Sequence, residues 1–182
     1  MLKLKTAPVV EPVLNTDVQV YLRLDSTAYN TTLTNYAIMA RRQAEEYTRR
    51  AFITQTWYLM LDASEVLEVI KIPRPPLVSA VITTYDDAGT PTTQPFASYT
   101  ADTYREPGRI YLNPGYTWGY TRERNGMLIE FVAGYGAAST NVPVDIIMAI
   151  TEAAALYYNS GEVGELPTKV INRLDPYQVK YL

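Results

Sequence analysis

The sequence predicts an α+β protein: a bundle of about three to four helices with an antiparallel β module inserted between the second and third long helices. Three observations carry that expectation. The hydrophobic period is helical before Thr54, changes to two from Thr54 to Ala133, and returns to a helical spacing after Pro143. Hairpin chemistry, as in Asp86-Asp87-Ala88-Gly89, falls in the middle stretch. The run Phe131-Val132-Ala133-Gly134-Tyr135-Gly136 reads as a buried strand with a glycine-rich exit, followed by Val142-Pro143 and a long apolar helix. The segments are therefore 1–53 for the N-terminal helices, 54–136 for the β module, and 137–182 for the C-terminal helices and a docking tail.

The elements follow in order. Proline spacing makes Ala7 to Val13 extended. Thr16 is the expected N-cap of a short helix through Leu24, with Asp17 complementing the dipole in its first turn. A polar linker, Asp25 to Asn30, leads to a second helix capped by Thr31 or Thr32. Its stripe is Leu33, Ala37, Ala40, Ala44 and Tyr47, and its expected outer face carries Arg41, Arg42, Glu45, Glu46, Arg49 and Arg50. On that face Glu45–Arg49 and Glu46–Arg50 have the spacing of helical ion pairs. Strands are expected at Thr56–Leu61 and Val66–Ile72, joined across Asp62 to Glu65, then at Ser79–Tyr85 and from Thr92. Tyr99–Tyr104, Arg109–Leu112 and Met127–Ala133 complete a compact antiparallel sheet folded on itself. Pro143 suits the first position of the next helix, and Asn159-Ser160-Gly161 ends it. The apolar surface of that helix is wider than one stripe, so it belongs between other helices, its own or a neighbouring subunit's. Pro167 starts a short helix to Leu174, and Asp175 to Leu182 form a tail.

Composition narrows the function. The chain has 182 residues, 47% of them hydrophobic and 19% charged, enough to bury a core. A net charge of −3 gives no general attraction to nucleic acid or acidic membranes. No apolar run approaches the ~18 residues of a membrane span. The N-terminus lacks the pattern of a signal peptide, and a cytosolic place of synthesis is expected. With neither cysteine nor histidine, the chain offers no thiolate, no imidazole relay and no sulfur- or imidazole-bound metal. No catalytic residue, metal site or cofactor is expected. The carboxylates Asp102, Glu106 and Glu130 read as strand and turn positions, and Asp86-Asp87 as turn chemistry.

Candidate contact residues are of three kinds. The doublet Arg41-Arg42 could face DNA phosphates, although a solvated helix face with internal ion pairs explains it as well. Tyrosine is abundant, 16 residues, and Tyr116, Trp118 and Tyr120 cluster in the linker 113–126 with Arg122 and Arg124. That cluster can stack on sugars, pack on another subunit or fold over its own sheet. The C-terminal Tyr177, Val179, Lys180, Tyr181 and Leu182 alternate in polarity like a segment that docks into another chain.

Several segments, taken in order, resemble the head–tail connector (head-completion adaptor) proteins of tailed phages and gene transfer agents. They are Pro8 to Val13, Thr48-Arg49-Arg50-Ala51-Phe52-Ile53-Thr54-Gln55-Thr56-Trp57, and Ile72-Pro73-Arg74-Pro75-Pro76-Leu77. Glu106-Pro107-Gly108-Arg109-Ile110, then Phe131 to Gly136 with Pro143, and Leu174-Asp175-Pro176-Tyr177 follow. Thr31-Thr32-Leu33-Thr34-Asn35 stands where relatives usually carry an acidic run. The resemblance implies a non-enzymatic virion component in the neck. It implies a dodecameric ring beneath the portal protein that extends the DNA channel and offers a platform to a stopper or tail-completion protein. A monomer in isolation, passage of DNA without sequence-specific binding, and no membrane partner go with it. By the same resemblance, residues 177 and 179–182 would contact the portal or adjoining subunits, and the loop from Tyr116 to Arg124 downstream or lateral neighbours. The alternative is a carbohydrate- or receptor-binding β module of a virion, resting on the tyrosine-rich loop; a hydrolase using carboxylates, which loss of activity on Glu130→Gln would be needed to support, is the remaining class.

Overall fold

The computed structural model describes residues 1–119 and 121–180. The chain forms two compact units, one from Met1–Ala7 with Thr54–Gly134 and one from Pro8–Ile53 with Tyr135–Leu182.

The second unit is helical. It contains α1 (Asn15–Leu22), α2 (Asn30–Thr48), α3 (Val144–Ser160) and α4 (Thr168–Leu174). Leu33, Ala37, Ala40 and Ala44 are buried, as the stripe on α2 requires, against Ile146, Ala149, Ile150 and Ala153 of α3. Small side chains at these positions let the two helices approach closely. Phe52 and Ile53, just past α2, are buried in the same core. The width of α3 is satisfied within the unit, since α1, α2 and α4 all pack against it. Val144 and Leu156 stay exposed.

Helix ends differ from expectation in instructive ways. Thr16 is not the cap of α1; Leu14 is, and its N–H donates to the Asp17 carboxylate at 2.7 Å. A 3-10 turn over Thr27–Tyr29 brings the start of α2 forward to Asn30, ahead of the threonines. Arg49 closes α2 in the left-handed region at φ 58°, a position more usual for glycine. Gly161 ends α3 in that region at φ 74°, its N–H bonded to the Tyr157 carbonyl at 2.9 Å.

The first unit is two antiparallel sheets. One runs in the order β1 (Leu2–Thr6), β2 (Gln55–Leu61), β8 (Met127–Ala133), β4 (Leu77–Tyr85) and β5 (Pro91–Thr93). The other runs β3 (Val69–Ile72), β7 (Gly108–Leu112), β6 (Tyr99–Asp102). Burial alternates along the central strand β8, where Met127, Ile129, Phe131 and Ala133 face the core. Ile82 on β4, Ile70 and Ile72 on β3, and Ile110 on β7 are buried in the same unit. The Tyr99 hydroxyl donates to the Ala80 carbonyl at 3.1 Å and ties the sheets together.

Two features of this unit were not expected. Residues 2–6 form an edge strand, with Leu2 opposite Leu59 and Leu4 opposite Trp57. Strands β2 and β3 do not pair: Asp62 to Glu65 carries the chain from one sheet to the other, through a 3-10 turn at Ala63–Glu65. Both depend on partners remote in sequence, which local periodicity does not register.

Candidate assembly surfaces

The basic face of α2 is not the open surface that its spacing suggests. Arg41, only 5% exposed, donates through Nε to Glu11 at 2.6 Å and through Nη1 to Glu45 at 2.5 Å. Glu45 is buried too, and its other oxygen accepts the Phe52 N–H at 2.9 Å. Burial alone would lower the guanidinium pKa, but Glu45 and Glu11 outweigh it and the net shift is upward. The Arg41 charge is thus matched inside the fold, and the ion cluster ties the Pro8–Val13 segment to α2. Arg50 is likewise buried, and its Nε donates to the Tyr177 carbonyl at 2.5 Å. Arg41 thus pairs along α2 with Glu45, and the outer-face assignment of Arg41, Glu45 and Arg50 is corrected accordingly, since all three are buried. Arg42 is exposed.

The tail turns back onto its own helices. After α4 a 3-10 turn covers Asp175–Tyr177, and the Tyr47 hydroxyl donates to the Asp175 carboxylate. That bond raises the Tyr47 pKa above its ordinary value. The Tyr177 hydroxyl donates to Asp145 at 3.3 Å. Val179 is 5% exposed, and its N–H donates to the Thr48 carbonyl at 3.0 Å, one of the unpaired carbonyls at the end of α2. Tyr177 and Val179 are therefore anchors within the chain. Lys180 is exposed, while Tyr181 and Leu182 lie outside the described residues.

The aromatic loop divides in the same way. Trp118 is 7% exposed, with its indole N–H donating to the Leu67 carbonyl at 3.1 Å and its ring 6.3 Å from that of Tyr99. It folds over its own sheet, so an open sugar-stacking platform would lack its indole. The Arg122 guanidinium lies 5.1 Å from the Tyr85 ring, and its Nε donates to the Asn125 carbonyl at 3.1 Å. Tyr116 and Arg124 are exposed; Tyr120 lies outside the described residues.

The carboxylates of the β unit are spread through separate local bonds. Glu130 pairs with Lys5 at 2.6 Å, and this bond raises the lysine pKa. Asp102 pairs with Arg105 at 3.3 Å. Asp86 accepts the Thr90 N–H at 2.7 Å, which holds its pKa below the usual aspartate value. Among the described residues, no group of three or more carboxylates gathers in a metal-binding arrangement. Among the same residues, no helix is long and apolar enough to cross a membrane.

Two features lay outside the sequence reading. Tyr104, between β6 and β7, is 98% exposed. On the helical unit, a cleft of about 200 Å³ opens beside Leu156, with Tyr21, Glu152 and Lys169 in its lining. The helical spacing of α3 marks Glu152 as polar but does not reveal that it is buried.

No protein-family model and no curated protein matches the chain. Solved structures do. A chain in the virion of a native gene transfer agent particle matches at a TM-score of 0.84 and 23% identity. Chains in the neck of an empty particle, computed with C6 symmetry, and in the neck of a native particle, computed with C12 symmetry, match at 0.82 and 0.77, each at 25% identity. Each of these three matches covers 100% of this chain and 97% of the other. By motif order and by a fold shared over its whole length with chains of gene transfer agent necks, this chain is a structural homologue of those neck proteins and carries the head–tail connector fold.

Proposed function

We propose that the protein is a structural head–tail connector of a virion neck and that its work is assembly, not turnover of a substrate. The observation that carries this reading is the whole-length match to neck chains at 25% identity. A connector needs rigid units with specific outer surfaces and no reacting group. A buried ion cluster and a tail pinned to α2 supply that rigidity here.

In this reading copies of the chain form a ring, twelve in the assembled particle, beneath a portal protein. A stopper or tail-completion protein occupies the opposite side, and packaged DNA passes through without sequence-specific binding. The C12 symmetry of one matched neck supports the ring. Because Tyr177 and Val179 are engaged within the chain, the portal contact is assigned to Lys180, Tyr181 and Leu182. Tyr116 and Arg124 are the lateral or downstream candidates, and Arg42 is the cation available to the channel.

Modest contacts suffice in a closed ring, because each subunit is held on two sides. The purified chain is therefore expected to run as a monomer or loose oligomer in light scattering, and to form rings when co-expressed with its portal, visible by negative stain. A stable closed dimer that ignores portal would refute this reading.

A further inference from the structure

The cleft beside Leu156 is built to receive something. Leu156 and Tyr21, each 43% exposed, are its apolar part, and Asn159 and Lys169 also line it. Glu152 is 5% exposed, and one of its oxygens accepts from Lys169 at 3.0 Å and from Arg173 at 3.4 Å. Its other oxygen, Oε2, is buried and accepts no hydrogen bond. A buried carboxylate oxygen without a donor is costly, so a group that brings one gains both that bond and the apolar contact. A second hollow continues on the other side of Leu156, lined by Glu162 and Glu165, at the C-terminal and hence electronegative end of α3. The surface thus asks for an aromatic group with a donor, followed by a cation.

The chain carries such a group elsewhere. Asp102 closes the β6–β7 turn by accepting the Tyr104 N–H at 3.0 Å and pairing with Arg105 at 3.3 Å, which holds the tip in shape. Tyr104 projects 98% exposed, and the Arg105 side chain beside it is 62% exposed. The other exposed aromatics fit less well. The Phe96 ring leans on Tyr99 and has no donor, and Tyr29 packs against Tyr158. Tyr116 has no charged neighbour in sequence.

We propose that this cleft binds the Tyr104–Arg105 tip of a second copy of the chain, the ring between Tyr21 and Leu156, the hydroxyl toward Glu152 and the guanidinium among Glu162 and Glu165. The inference rests on the ring reading above and names its contact. Knob and cleft are different patches, so each copy can offer its tip to one neighbour and its cleft to another, and the contact then propagates around a ring. Exposed aromatic side chains seated in a pocket are the usual anchors of such interfaces.

The absence of cysteine from the chain allows a direct test. The double variant Thr103→Cys/Asn159→Cys, which keeps Tyr104 and Arg105, oxidised at concentrations where the wild type self-associates, should give a ladder of covalent multimers. An equimolar mixture of the two single variants should give chiefly a crossed dimer. A control pair, Thr103→Cys/Thr92→Cys, should give no ladder. Equal crosslinking in the control, or none in the double variant, overturns the proposal. In sedimentation, Tyr104→Ala and Leu156→Glu should each weaken self-association on the order of 30-fold, and Tyr104→Phe only a few-fold, with unchanged circular dichroism. Self-association that persists in both of the first two variants overturns this contact and leaves the ring reading standing. A wild type that never self-associates, alone or with portal, overturns both.

Discussion

At the scale of single residues, the ion cluster of Arg41 with Glu11 and Glu45 is the clearest case of a charge used inward. Two carboxylates converge on one nearly buried guanidinium, so deleting the cation leaves Glu45 desolvated and unmatched. Arg41→Ala should lower stability by about 3–5 kcal/mol in denaturant titration. Arg41→Lys should fall between, because an ammonium cannot reproduce the two-sided guanidinium geometry. A loss below about 1 kcal/mol for the alanine variant would mean that the cluster is solvated like a surface pair. Asp86 offers a test by pH. Its pKa is depressed in the fold by the Thr90 N–H, so its contribution is complete above the unfolded aspartate value and disappears as pH falls through the lower, folded one. A carboxyl titration followed by NMR should give a midpoint below the ordinary aspartate value of 3.8. A midpoint at or above that value would show that the turn does not hold the carboxylate.

At the scale of elements, the alternation of β8 and the alanine stripe of α2 were legible because one periodic face meets one core. The hairpin of β4 and β5 was legible from Asp86 to Gly89, where the turn residues act locally. Helix starts were less so: Thr16 and Asp17 both suit a first turn, and the backbone geometry at Leu14 selected Asp17. The joining of the sheets depends on close approach. At Gly108, the first residue of β7, an added Cβ would sit 2.6 Å from the Leu77 Cβ. Both atoms belong to stiff positions, so Gly108→Ala should destabilise the β unit by about 1–3 kcal/mol in thermal melts. An unchanged melting temperature would show that the two sheets are free to separate there.

At the scale of the whole molecule, the tail is an anchor within the chain and, in the proposed reading, also the portal contact. Val179 is buried and its N–H satisfies the Thr48 carbonyl. Truncation after Leu174 should therefore destabilise the helical unit by about 2 kcal/mol as well as weaken portal binding. Truncation after Val179 should leave the melting temperature unchanged and weaken portal binding alone. If the longer variant binds portal with full affinity, the contact does not reside in residues 180–182.

By itself the sequence determined the α+β class, the insertion of a β unit between helices, most strand and helix positions, and, through the motif order, a resemblance to the connector proteins. Those properties follow from side-chain period and turn chemistry, which act over a few residues. Only the tertiary structure decided that Arg41 and Glu45 are buried partners, that Val179 is held by Thr48 and Tyr177 by Arg50 and Asp145, and that residues 2–6 complete a sheet. It also decided that Glu152 lies beneath a cleft while Tyr104 stands clear. Each of these depends on groups far apart in the chain, and the free energy of burying or pairing a charge is set by neighbours that only folding brings near.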